Sequence, residues 1–287
     1  MILVTGATGN AGGAVVRALA ASGEGVRALV REGSDTAALP SAAEPVAGDL
    51  NRPETLRPHL DGVESAFLLS GYERLDETLA AMRTAGVRRV VLLSSSAAPG
   101  GDLSNAVARY HILSERAVRK SGLGWTFIQP NSFMTNTLAW APQLRAGDVV
   151  RAPFAGVAVA TIHPDDLGAV AALALRSDEL GGRSLRLSGP ESLRPADRVA
   201  ILGRVLGREL RFEPQSDDEA RAEMSASMPA EYVDAFFNFF ADGRLDESQV
   251  LPAVRELTGR EPRSFESWVR DNADQFPTDP QPTGSDI

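Results

Sequence analysis

Short apolar, β-branched runs alternate with longer amphipathic stretches through the first 130 residues. That alternation is the signature of βαβ units around a parallel sheet. Strands are expected at Ile2–Thr5, Val26–Val30, Glu44–Ala47, Ser65–Leu69, Val90–Ser94 and Trp125–Gln129, and helices at Ala11–Ala21, Pro53–Leu60, Leu75–Ala85 and Ala106–Ser121. After Pro130 the pattern loosens. A strand at Val157–Ile162 leads into a helix near Pro164, whose Asp165 and Asp166 suit a first turn beside a positive dipole end. Another strand is expected at Ser184–Leu187; from Pro190 the chain reads as mostly helical, with one strand at Leu210–Glu213. The expected class is α/β: a doubly wound parallel sheet over residues 1–189, a smaller, mostly helical substrate-binding lobe over 190–276, and a disordered tail over 277–287, where Pro, Thr, Gly and Asp leave little to bury.

The first strand runs into Thr5-Gly6-Ala7-Thr8-Gly9-Asn10-Ala11-Gly12 and then into the first amphipathic helix. In a Rossmann-type βαβ unit such a turn holds a dinucleotide. Gly6 permits the tight turn, Gly9 lets the backbone approach a pyrophosphate, and Gly12 permits close helix–strand packing, while the helix N-terminus presents N–H groups to the phosphates. Bound to nothing, the same residues would make an ordinary strand-to-helix turn. Coenzyme choice is read at the end of the second strand, where an acidic side chain holds a 2′-hydroxyl and an arginine accommodates a 2′-phosphate. Arg31 stands there, followed by Glu32. NADP(H) is therefore the expected cofactor, unless Arg31 is only solvated and Glu32 reaches the ribose. Asp49 after the third strand is placed to accept from adenine or to cap the turn before Pro53.

Charge and composition narrow the partners. The 287-residue chain carries a net charge of -9 and no basic stretch that offsets it, which argues against direct nucleic-acid binding or an anionic membrane surface. It has no cysteine, which excludes disulfides, thiolate catalysis and Cys-ligated metal centres. No apolar run reaches the roughly 18 residues of a membrane span, and the chain opens on Met1-Ile2-Leu3-Val4 rather than a charged leader, so a cytoplasmic protein is expected. His163 with Asp165 and Asp166 could suggest a metal or acid–base cluster, but Pro164 starting a helix explains them better, and no metal is expected.

Several motifs together resemble one family. They are Thr5-Gly6-Ala7-Thr8-Gly9-x-x-Gly12, Ser94-Ser95-Ser96 at the end of the fifth strand, Gln129-Pro130-Asn131-Ser132-Phe133-Met134-x-Asn136, Ile162-His163-Pro164-Asp165-Asp166, and Ser264-Phe265-x-x-Trp268-x-x-Asp271-Asn272-Ala273. The chain resembles the NmrA-like atypical short-chain dehydrogenases/reductases over residues 1–276. The resemblance implies a Rossmann fold and NAD(P) binding, in a family divided between quinone or ketone reductases and redox-sensing regulators. The residues expected at the cofactor are Gly6, Thr8, Gly9, Asn10, Ala11, Gly12, Arg31, Asp49, Leu50, Leu69, Ser70, Ser94, His111, Pro130, Ser132 and Phe133.

Short-chain reductases ordinarily protonate the developing alkoxide with a Tyr-x-x-x-Lys pair on the helix after the fifth strand. Aligned on Glu115 to Gly122, this helix has Val107 in the tyrosine slot and His111 in the lysine slot. Tyr110 lies three residues from the tyrosine slot, about 60° off the required helix face, and Lys120, the only lysine, lies nine positions beyond His111. A proton would then come from Ser95, Ser96, His111, ordered water or the substrate itself; His111 could equally be a packed helix-face histidine, and Ser94 and Ser96 could merely satisfy strand-end backbone.

A small-molecule ketone or quinone of aromatic, polyketide type reduces the demand for an enzyme acid, because its reduced anion is stabilised. The missing pair also resembles atypical ketoreductases of angucyclinone antibiotic pathways. Phe133, Met134, Trp140, Phe154, Phe236 and Phe240 are the candidates to line an aromatic substrate pocket. The expected function is NADPH-dependent reduction of such a carbonyl or quinone, with NADP(H) sensing by a non-catalytic regulator as the alternative; a sugar-nucleotide epimerase would need the missing base more severely.

Overall fold

The computed structural model describes residues 1–277, so all but Pro277 of the expected disordered tail lies outside the described residues. Chain order begins β1 (Ile2–Thr5), α1 (Asn10–Ala21), β2 (Val26–Val30), β3 (Ala43–Ala47), β4 (Ser65–Leu69), α2 (Leu75–Thr84), β5 (Arg89–Leu93), α3 (Ala106–Lys120) and β6 (Gly124–Pro130). It continues through α4 (Ala141–Ala146), β7 (Val149–Ala152), α5 (Pro164–Arg176), β8 (Arg183–Leu187), α6 (Pro195–Leu206), β9 (Arg211–Pro214), α7 (Asp217–Ser225), α8 (Ala230–Phe240), α9 (Ala253–Thr258) and α10 (Phe265–Asp271). No helix among the described residues is long and apolar enough to cross a membrane.

Seven strands form one parallel sheet in the order β3-β2-β1-β4-β5-β6-β8. Every residue of β1 is buried, as is the Ala66-Phe67-Leu68 centre of β4, which explains why these strands read as continuous apolar runs: both faces of a parallel sheet are covered. Strand order reverses between β1 and β4, the kind of switch point at which open α/β sheets bind ligands. Gly168 of α5 sits on α1 so closely that a Cβ would lie 2.6 Å from the Ala14 carbonyl carbon and oxygen, and Asp165 in the first turn of α5 pairs with Arg17 at 2.7 Å.

The chain divides into two compact units: residues 1–130, 164–187 and 252–260 in the first, and 131–163, 188–251 and 261–277 in the second. The single cut expected at residue 189 is thus replaced by an interleaved division. Its cause is topological: β8 can join the sheet parallel to β6 only through a crossover helix, so the chain that leaves at Pro130 must return at Pro164 to build α5. Within the second unit, β7 and β9 pair in parallel, and Phe265, Trp268, Leu144, Val199 and Leu202 form the core.

Two expected elements differ, and one strand was not expected. Residues Pro53–Leu60 make two 3-10 turns, Pro53–Thr55 and Arg57–His59, because Pro58 removes a mid-helix donor. Residues 157–162 form no ladder strand; they hold isolated bridges, Val159 with Leu193 and Ile162 with Phe133. The sequence pattern missed β7, a four-residue strand whose partner β9 lies some sixty residues on.

Candidate functional site

In the first unit the glycine turn is as tight as backbone atoms allow. Gly6 has φ 61°, and a Cβ there would meet Leu69 Cδ1 at 2.7 Å; a Cβ on Gly12 would lie 2.2 Å from the Gly6 carbonyl oxygen and 2.6 Å from that of Thr5. The Gly9 N–H donates to Gly6 O at 2.9 Å and closes the loop. No side chain caps α1, so the amides of Ala11 and Gly12 and the positive helix end suit an anion. Thr8 and Asn10 are exposed at this turn and Ala11 is buried. The Ser70 hydroxyl donates to Leu93 O at 2.7 Å, tying the end of β4 to that of β5.

Arg31 directly follows β2, is exposed, and makes no ion pair among the described residues; Glu32 beside it is exposed too. Asp49 Oδ1 accepts from the Asn51 amide at 2.9 Å, and the Asp49 amide donates to Thr55 Oγ1 at 2.9 Å, so this carboxylate caps the turn as one of its two expected roles requires. Leu50 is buried beneath it. Burial, then the negative charge of Asp49, raises the Tyr72 phenol, while Arg31 opposes both. Asp49 and Arg31 are therefore both within electrostatic reach of the Tyr72 phenol.

At the end of β5 a buried carboxylate that the sequence reading passed over fixes the strand. Glu115 Oε1 accepts from Ser94 Oγ at 2.6 Å and from Gln129 Nε2 at 2.7 Å, and Arg119 pairs with Oε2 at 3.2 Å. The Ser94 hydroxyl is thereby committed to Glu115. Ser95 is half-buried, its Oγ accepting from the Ala97 amide at 3.2 Å, and Ser96 is buried with its amide donating to Pro130 O at 3.0 Å. Glu115 falls on the buried face of α3 with Ile112 and Val118. A carboxylate at i+3 and i−3 from two core residues was the signal available.

His111 lies half-buried in the lysine slot of α3. Burial pushes its imidazole down to about 4, and its Nδ1 is buried without a hydrogen-bond partner. At neutral pH it cannot replace a lysine's charge or serve as an imidazolium acid. A buried nitrogen without a partner does fit a hydrogen bond to a ribose hydroxyl, and together with the glycine cradle it makes the first unit's residues fit a dinucleotide. The Tyr110 ring lies tilted against His111, with centroids 4.1 Å apart, and packs 3.3 Å from where a Gly71 Cβ would sit.

The His111 shift has a pH consequence. The unfolded histidine titrates near 6.5 and the folded one near 4, so as pH falls the unfolded chain takes the proton first. The contribution is fully present above about pH 6.5 and is lost by about pH 4, amounting to roughly 3 kcal/mol. Chemical denaturation of His111→Asn across that window should show a flatter stability profile than wild type; parallel profiles would refute the assignment.

The second unit contains a cavity of about 390 Å³. Trp140, Phe154, Phe236 and Phe240 line it, as does Ser132. The other two expected substrate residues do not. Met134 is 1% exposed and packed in the core with its methyl against Gly189, and half-buried Phe133 bridges to Ile162. Phe154 packs on Phe237 and Phe240 at 5.2 and 5.3 Å between centroids. Ser132 is held by Glu247, buried and also unforeseen, whose carboxylate accepts from the Ser132 hydroxyl at 2.6 Å and amide at 3.0 Å. Arg198 on the cavity wall was likewise missed, and no sequence signal marked it, because segments from 132 to 240 assemble the wall.

Residues 6–178 match the family described as NAD(P)H-binding. The chain is 40% identical to the (4-alkanoyl-5-oxo-2,5-dihydrofuran-3-yl)methyl phosphate reductase of Streptomyces griseus, over 96% of this chain and 99% of that protein. It is 31% identical to the NAD(P)H azoreductase of Xenophilus azovorans, again over 96% and 99%. Its fold matches that of an NADPH-dependent quinone oxidoreductase of Escherichia coli complexed with NADPH, with a TM-score of 0.77 at 22% identity, over 94% and 99% of the two chains. With the seven-stranded parallel sheet and the tight glycine turn, these matches establish that the chain is an NAD(P)H-dependent oxidoreductase and belongs to the NAD(P)H-binding family.

Proposed function

We propose that this protein is an NADPH-dependent reductase that delivers hydride to a ketone, a quinone or a similarly activated, carbonyl-conjugated carbon of an aromatic or polyketide-type small molecule, without a Tyr-x-x-x-Lys acid. One observation carries this reading: the lysine slot holds a half-buried histidine whose Nδ1 has no hydrogen-bond partner, with Val107 in the tyrosine slot. An acceptor whose reduced anion is already stable needs no strong enzyme acid. A 4-alkanoyl-5-oxo-2,5-dihydrofuran, a quinone and an azo bond, the acceptors or activities in the relatives' names, are all activated in this sense. For the first, hydride addition to the ring alkene would leave an enolate shared between two carbonyls.

In this reading Gly6, Gly9 and Gly12 with the start of α1 hold the pyrophosphate, Arg31 the 2′-phosphate, Asp49 the adenine side and His111 a ribose hydroxyl. Bound nicotinamide supplies the hydride. Ser95 and Ser96 orient the acceptor oxygen or a water by hydrogen bonding, and Ser94, tied to Glu115, keeps that strand end in place. The Arg31 assignment favours NADPH over NADH.

Purified protein incubated with NADPH and a panel of quinones, conjugated lactones and hydroxylated polycyclic ketones should consume nicotinamide absorbance with at least one class. Arg31→Ala should weaken NADPH binding about 30-fold or more while changing NADH little; equal losses would sink the coenzyme assignment. Tight NADPH binding with no turnover across the panel would reject catalysis and favour a sensor.

A further inference from the structure

The cavity in the second unit has aromatic and aliphatic walls, yet it holds one cation and no carboxylate. Among the described residues Arg198, in the first turns of α6, is the only charged one on its wall. Its guanidinium lies 5.2 Å from the centre of the Trp140 ring, its Nε is buried without a hydrogen-bond partner, and it makes no ion pair among the described residues. Burial lowers its pKa to about 10, which leaves it charged at neutral pH. Most arginines on this chain find a carboxylate, as Arg194 does with Asp197 on the same helix. A half-buried arginine with an unpartnered Nε and no anion beside it is costly unless a ligand completes it.

A second feature shows that the wall is built for more than packing. Phe154, which faces the cavity, is the one non-glycine residue with positive φ among the described residues, at 56°. Such strain persists only where surrounding structure holds it, and it gathers at ligand sites. Beside Arg198 the polar lining comprises Ser132, Asn136 and Thr161. The arrangement offers an apolar body a place among the aromatics and an oxyanion a fork of guanidinium donors.

We infer that this cavity takes a substrate with an apolar, acyl-like body and a terminal phosphomonoester, and that Arg198 is the specificity-determining residue that binds the phosphate. The inference rests on the reductase reading for its substrate but not for its site. The planar guanidinium fork matches phosphate oxygens two at a time, and the 40% identical relative is named for a (dihydrofuran-3-yl)methyl phosphate, a phosphomonoester. Carboxylates share the oxyanion chemistry, so the test separates them.

The probes are hexyl phosphate, hexanoate and hexanol, titrated by calorimetry into the full-length protein with NADP⁺ saturating, so that the dinucleotide's own phosphate sites are filled. Wild type should bind hexyl phosphate about 30-fold more tightly than hexanol. Arg198→Met should lose that preference while keeping hexanol affinity, and Arg198→Lys should retain part of it. Equal binding of hexyl phosphate and hexanol by wild type would overturn the inference, and this comparison needs no variant to fold. Hexanoate binding as tightly as hexyl phosphate would overturn the phosphomonoester assignment. Reduction of menadione, a neutral quinone, separates the two claims: turnover without phosphate preference would refute the anion site alone, and phosphate preference with no turnover of any acceptor would refute the reductase reading alone.

Discussion

Gly12→Ala should abolish measurable NADPH binding and cost roughly 3 kcal/mol of stability or more, lowering the melting temperature by roughly 6–12 °C. The new methyl would stand 2.2 Å from the Gly6 carbonyl oxygen, 2.5 Å from its carbon and 2.6 Å from the Thr5 oxygen. All three are backbone atoms at the end of a fully buried strand, so none can swing aside as a flexible side chain would. α1 would have to withdraw from β1, carrying the Ala11 and Gly12 amides away from the position a pyrophosphate requires. Gly9→Ala is the control, since its Cβ would meet only Gly6 O, at 3.3 Å. It should retain most of the stability while losing affinity through crowding at the turn. Calorimetric melting with NADPH titration checks both; a Gly12→Ala protein that melts within 2 °C of wild type (about 1 kcal/mol) and still binds would show that the turn is looser than its geometry.

Glu115→Ala carries the second large effect. Ser94 and Gln129 are each 3% exposed and share Oε1 of this carboxylate as acceptor. Removing it strands two buried donors, at about 1–3 kcal/mol each, and opens a cavity besides. A loss of roughly 3–5 kcal/mol is expected. Glu115→Gln should behave quite differently. Its amide oxygen can occupy the Oε1 position and keep both buried bonds, so only the Arg119 pair is lost, and that arginine is 44% exposed. Such a pair contributes about 1 kcal/mol or less. Urea denaturation should therefore place Glu115→Gln within about 1 kcal/mol of wild type and Glu115→Ala far below it. Similar losses in the two variants would show that the negative charge, rather than the acceptor atom, holds the end of β5.

The buried carboxylates mark the limit of what periodicity discloses. Glu115 could have been suspected, because it shares a helix face with Ile112 and Val118, but its partner Gln129 lies on β6 and only the parallel pairing of β5 with β6 brings them together. Glu247 offered no comparable cue: it lies outside any helix or strand and reaches Ser132 across 115 residues of sequence. Phe133 and Met134 show the opposite failure. Both are apolar residues next to a motif, and one became core while the other became a bridge residue.

The sequence by itself determined the parallel sheet, the phosphate turn and the position of Arg31. Each is a local matter: a run of apolar residues, a glycine spacing within one strand–turn–helix unit, and the residue that ends a strand. It also determined that a valine and a histidine stand where a tyrosine and a lysine would. Only the tertiary structure decided that burial lowers the histidine's pKa, because desolvation depends on what packs over a helix face and not on the residues along it. The division into interleaved units, the four aromatics that actually line the cavity and the unpaired guanidinium of Arg198 were decided there too. Each depends on contacts between segments tens of residues apart, and residue periodicity records a side chain's face but not its distant neighbours.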